Sequence, residues 1–99
     1  MMVLLPMLIG LQLVAADQVP TLDIGPRCRA PTAIAGMTEQ GCLKDERAAH
    51  DDLAKVWSQF LASDKTMCLD QTNNFDPSYI ELLTCLELMR DARIPYQPK

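Results

Sequence analysis

Four cysteines in 99 residues constrain this chain more than any other feature. They stand at Cys28, Cys42, Cys68 and Cys85, far wider apart than the close CxxC pairs that zinc sites use. In a short exported chain, four cysteines read as two disulfides. Three pairings are open. Cys42 and Cys68 flank a predicted long helix, whose roughly 20 residues hold them about 30 Å apart. A disulfide needs its Cα atoms within about 7 Å. Cys42 with Cys85 is poor in an antiparallel helical hairpin, where Cys85 lies about 12 Å from the turn end and Cys42 about 30 Å from it. Cys28–Cys42 and Cys68–Cys85 remain. Each closes a loop of about 15 residues, worth about 3 kcal/mol in the chain-entropy model.

Export is expected from the N-terminus. Residues 1–16, MMVLLPMLIGLQLVAA, are almost wholly apolar. The run from Val3 to Val14 has the length of a signal-peptide core and falls short of the ~20 residues that span a bilayer. Val14 and Ala16 place small residues at the −3 and −1 positions, so cleavage is expected after Ala16. No Lys or Arg precedes the run, the one departure from a usual signal. A periplasmic or secreted domain this small buries only about 60–65% of its unfolded surface. It needs covalent support, which the cysteines supply.

The clearest period runs from Cys42 to Phe60. Ala49, Leu53, Val56, Trp57 and Phe60 share one face of a helix, with Cys42 two turns earlier. The opposite face, Lys44, Arg47, Asp51, Asp52, Lys55 and Ser58, is polar. Arg47–Asp51 and Asp51–Lys55 have i,i+4 spacing. Either Thr38 caps this helix or Gly41 lies in its entry loop, and the helix is expected to end near Ala62 or Ser63. Before it, residues 17–26 read as an extended leader, poorly ordered or laid across the surface. RCRAPTAIAG reads as a short helix stopping at Gly36. After it, ASDKTMCLD reads as a second short helix capped by Ser63, and QTNNFDP as a loop. Asp76-Pro77 marks the start of a last helix. Tyr79, Leu82, Leu83, Leu86 and Met89 form its apolar face, and Ile80, Cys85 and Leu88 widen it until it needs burial on more than one side. The expectation is an all-α domain over 27–94, a long central helix with the last helix packed antiparallel to it, and a tail over 95–99.

Several function classes are excluded on composition. The net charge is −4, and the nine basic residues are scattered. That argues against nucleic acid and against an anionic membrane surface, both of which need clustered Lys and Arg. His50 is the only histidine. Its neighbours Asp51 and Asp52 do not face it on a helix, so no triad is expected. The disulfides consume every thiol, and Ser58 and Ser78 have no base nearby in sequence. Asp45, Glu46, Asp51 and Asp52 lack calcium-loop spacing and read as a solvated face. Met37, Met67 and Met89 read as core packing. No catalytic residue, metal or cofactor is expected. A protein partner is, with no membrane association after signal cleavage.

GCLKDE, WSQF, DKTMC and FDPSYIELLTCLELMRDAR together resemble a family of small exported bacterial proteins without assigned activity. The resemblance covers roughly Cys28 to Arg93. It implies export and disulfides and adds no chemistry. Asn73-Asn74 stands where that family tends to Gly-Gly. The layout of Cys28, Cys42, Leu53, Trp57, Cys68 and Cys85 also resembles the N-terminal domain of LprI-type lysozyme inhibitors. That resemblance implies inhibition of a cell-wall hydrolase as an alternative to a general binding or structural role, and it carries over no inhibitory residue.

Overall fold

The computed structural model describes residues 18–29 and 36–93. The expected signal segment, most of the expected RCRAPTAIAG helix and the tail lie outside the described residues. Within them the fold is all-α. Helix α1 is Gly25–Arg29, α2 is Glu39–Val56, a 3-10 turn follows at Trp57–Gln59, α3 is Ala62–Asn73 and α4 is Tyr79–Arg93. No helix among the described residues is long and apolar enough to cross a membrane.

Of the two expected starts, helix α2 takes the Thr38 cap. Thr38 is extended, and its Oγ1 accepts a hydrogen bond from the Gly41 amide at 2.9 Å, satisfying one of the free amides of the first turn. Just upstream, Gly36 takes a φ of 88°, the left-handed conformation that glycine adopts without strain. The buried stripe of α2 is Cys42, Glu46, Ala49 and Leu53, continued by Trp57 and Phe60. Val56 is only half-buried. The helix ends sooner than expected, because the backbone tightens at Trp57 and turns extended at Phe60 (φ −92°, ψ 150°). That tightening keeps both aromatic rings on the buried side.

Helix α3 departs further from expectation. Leu61, not Ser63, occupies the cap position, with no side-chain cap bond. The helix continues through Gln71, Thr72 and Asn73, which composition alone reads as loop. Its buried positions are Asp64, Cys68 and Thr72, a stripe one residue wide, with half-buried Leu69 packed against the core beside it. Each of the three is tied to α4. Asp64 pairs with Arg93, Cys68 bonds to Cys85, and Thr72 Oγ1 accepts from the Ser78 amide at 2.9 Å. Specific ties, more than apolar burial, hold this helix.

Helix α4 starts two residues after Asp76-Pro77. Ser78 is its cap: Oγ accepts from the Glu81 amide at 3.2 Å, and the Ser78 carbonyl accepts from the Leu82 amide at 3.0 Å. Tyr79, Leu82 and Leu86 are buried, whereas Leu83, Cys85 and Met89 are half-buried. Ile80 and Leu88 stay exposed, so the burial expected around the sides of this helix is incomplete.

The packing direction corrects the hairpin expectation. Glu46 meets Tyr79 near the start of α4, and Phe60 lies under Arg90 near its end. Helix α4 is therefore parallel to α2. It is antiparallel to α3, as Asp64–Arg93 and Thr72–Ser78 require. It packs on both, while the backbones of α2 and α3 stay apart. The chain runs up, down and up with α4 as its hub. Leu53, Leu82 and Leu86 are fully buried there, joined by Trp57, Phe60, Tyr79 and Cys68.

The leader is part of this core. Leu22 is buried, its amide donates to the Tyr79 hydroxyl at 2.7 Å, and Val19 and Ile24 pack beside it. Gly25 and Pro26, grouped with the leader on sequence, open α1. Cys28 pairs with Cys42 and Cys68 with Cys85, with Cα separations of 5.4 and 5.7 Å. The reason Cys42 does not meet Cys85 differs from the hairpin argument. In a parallel pair with Glu46 level with Tyr79, the two cysteines lie on opposite sides of that level, about 15 Å apart along the axes.

Candidate functional site

Glu46 is the residue that sequence reading misplaced most. It belongs to the buried stripe, four residues after Cys42 and three before Ala49, and is fully buried. Oε2 accepts from Ser78 Oγ and Oε1 from the Tyr79 amide, both at 2.6 Å. Arg27 Nε of α1 stands 3.7 Å from Oε2, and its guanidinium also pairs with Glu81. A carboxylate taken out of water is costly unless its charge and lone pairs are met. Here a cation, a hydroxyl and a helix N-terminus all meet it, and the helix dipole favours negative charge at that end. Glu46 thus caps α4 from α2 and sets the level at which the two helices pack.

Ser78 does have a carboxylate beside it, contrary to expectation. Its hydroxyl is spent on Glu46 and on the Glu81 amide, and the residue is fully buried. Exposed Ser58 is elsewhere. The Ser78–Glu46 contact therefore does structural work and offers no open nucleophile. The sequence signal was present: Ser78 and Glu81 have capping-box spacing, and Glu46 follows the period of the buried face.

His50 is half-buried, with its ring edge-on to Tyr79 at 4.9 Å between centroids. Contrary to expectation, Asp51 reaches it, with Oδ1 3.3 Å from Nδ1. The contact is exposed and shares no third group. Because Asp51 turns to His50, neither Arg47 nor Lys55 comes within ion-pair distance of it. His50 also lines a depression of about 280 Å³ with Gln18, Val19, Ala54 and Trp57. Trp57 Nε1 is buried without a hydrogen-bond partner among the described residues. Lys65 Nζ lies 4.7 Å from the Trp57 ring centroid, a cation–π contact between α3 and the 3-10 turn that follows α2.

Asp45, Asp51 and Asp52 are exposed while Glu46 turns inward, so the acidic cluster is divided between solvent and core. No group of three or more metal-ligating side chains converges among the described residues. Met37 and Met67 are exposed, and only Met89 packs against the core.

A different surface stands open. Between α3 and α4 a groove of about 380 Å³ is lined by Gln71, Ile80, Glu81, Thr84, Cys85, Leu88 and Met89. Leu88 is 64% exposed and Ile80 41%. Sequence reading assigned both to the core, because their spacing fits an apolar stripe. What it missed is that, among the described residues, α4 has two helical neighbours and a third side without one.

No family model matches the chain, and no curated protein or solved structure is significantly similar to it.

Proposed function

We propose that the protein is a small exported module, non-catalytic, that works by holding another protein, in the periplasm or outside the cell. The observation that carries this reading is the open groove on the third side of α4, with Ile80 and Leu88 in its wall. Large apolar side chains grouped in a concave surface mark binding sites more often than scattered single ones do. By contrast, the polar groups that invite a chemical reading, Glu46, Ser78, Arg27 and Glu81, are occupied in joining helices. Two disulfides in a domain of this size suit an oxidising compartment, in keeping with residues 1–16 as a signal.

The test has two parts. Mature protein from an extracytoplasmic fraction is expected to begin at Asp17; a cytosolic form retaining Met1 contradicts export. Immobilised mature protein, exposed to periplasmic extract and washed with salt, is expected to retain a partner in stoichiometric amount. Retention of nothing above a blank support contradicts the binding reading.

Inhibition of a lysozyme-type hydrolase is the second reading, favoured by the acidic balance of the chain, which suits a basic enzyme. Unchanged lysozyme activity at high micromolar concentration of this protein removes it for the enzyme assayed.

A further inference from the structure

The geometry points to a specific occupant for the α3–α4 groove: a cationic amphipathic helix of a partner protein. This inference rests on the binding reading above and goes further by naming the class of ligand and the residues that receive it. Ile80, Thr84 and Leu88 stand at i, i+4 and i+8 on α4, so they form one ridge along its uncovered side. From Ile80 to Met89 the wall runs about 13 Å, between two and three helical turns. The groove is built almost wholly on α4, with Gln71 of α3 at its edge, and a partner helix packs against such a ridge by the usual ridges and grooves. There is no strand among the described residues, so an extended peptide has no sheet edge to join.

Charge selects the partner. Glu87 and Asp91 lie on the same exposed side of α4, flanking Ile80 in the helical register. Glu87 has no ion-pair partner among the described residues, and Asp91 has only an exposed 3.5 Å contact from Arg90. The nearby cations are committed. Arg27 pairs with Glu81, Arg93 with Asp64, and the Arg90 guanidinium lies 5.5 Å from the Phe60 ring centroid. Among the described residues, the carboxylate left without an ion pair on this side is Glu87, so the uncompensated charge beside the groove is negative. A second copy of this chain brings the same carboxylates against each other and is disfavoured. A helix with apolar residues on one face and Lys or Arg on its flanks matches both the ridge and the rim.

The probe is a fluorescently labelled 14-residue Leu/Lys amphipathic helix, titrated with the full chain and followed by anisotropy. Leu88→Asp is the informative variant, because it removes apolar surface while adding negative charge. Groove docking predicts that it weakens binding roughly tenfold, the loss expected for one buried anchor. Attraction by charge alone predicts equal or tighter binding, which overturns the proposal. Leu61→Asp adds the same charge outside the groove and is expected to leave affinity within about twofold. Leu88 is exposed, so an unchanged far-UV circular dichroism spectrum accompanies the expected result. Wild-type protein that sediments as a dimer, with Leu88→Asp dissolving it, makes a second copy the occupant and also overturns the proposal. Capture from extract separates the two levels of the argument. A partner held equally by wild type and Leu88→Asp overturns the groove and leaves the binding reading standing. Failure of both to hold a partner removes the reading itself.

Discussion

Two buried acids, Glu46 and Asp64, do for this protein what a larger apolar core does elsewhere. Glu46 joins α1, α2 and α4 at one point. Replacing it with alanine leaves the Tyr79 amide and the Ser78 hydroxyl without their acceptor and Arg27 without one of its two partners. Glu46→Ala is therefore expected to cost about 2–4 kcal/mol, the range for leaving two buried donors without their acceptor, since Arg27 keeps Glu81 and is itself partly exposed. Glu46→Gln keeps an oxygen acceptor and is expected to cost less. Urea unfolding of both variants measures this, and a loss under about 1 kcal/mol for the alanine contradicts the capping role. Asp64 binds Arg93 through both carboxylate oxygens, at 2.7 and 2.8 Å. The hydrogen bonds from Arg93 hold the Asp64 carboxyl below the usual aspartate range, against the opposing effect of burial. A lowered native value means that the unfolded chain takes up the proton first as pH falls. The pair's contribution is thus complete above the ordinary aspartate value and is lost as pH drops through the lowered one. Acid titration of stability is expected to show a loss there that Asp64→Asn lacks; identical profiles for the two proteins contradict it.

Among the three long helices, α3 buries few apolar side chains and depends on Cys68–Cys85 at its centre. In Cys68→Ser/Cys85→Ser protein, amide exchange is expected to accelerate across Ala62–Asn73 while α2 and the start of α4 keep their protection. Chain-entropy arithmetic puts the loss at about 3 kcal/mol. Uniform acceleration along the chain contradicts separate anchoring of α3. This helix also shows where sequence reading reaches its limit. Helix α2 was legible because its apolar period is strong and Thr38 is an ordinary cap. Helix α3 has no such period: its length comes from Thr72 bonding to Ser78 across a loop, a contact that local propensity does not contain. The start of α4 shifted for a related reason. Asp76-Pro77 is a good local start, but Ser78 also satisfies a carboxylate from another helix. Glu46 itself was legible in principle. Its position fits the buried period of α2, and only its charge argued for the surface.

For the whole molecule, the parallel α2–α4 arrangement follows from three helices joined by two short connections, and sequence reading missed it by treating α3 as an appendage of a hairpin. The disulfide pairing was legible only in part. The length of α2 keeps Cys42 from Cys68 in either arrangement, but setting aside Cys42–Cys85 relied on an antiparallel hairpin and holds in the parallel pair for a different reason. Exposure of Ile80 and Leu88 was not legible, since it depends on what fails to pack against α4. The molecule is a bundle with α4 as hub, closed by two local disulfides, and disulfide mapping of unreduced native protein is the sharpest check on that arrangement. Trypsin cuts after Arg29 and separates Cys28 from Cys42, while Glu-C cuts after Glu81 and separates Cys68 from Cys85. Linked peptides Cys28–Cys42 and Cys68–Cys85 alone are expected. A Cys28–Cys68 or Cys42–Cys85 peptide contradicts the helix arrangement, and a Cys42–Cys68 peptide is incompatible with an intact α2.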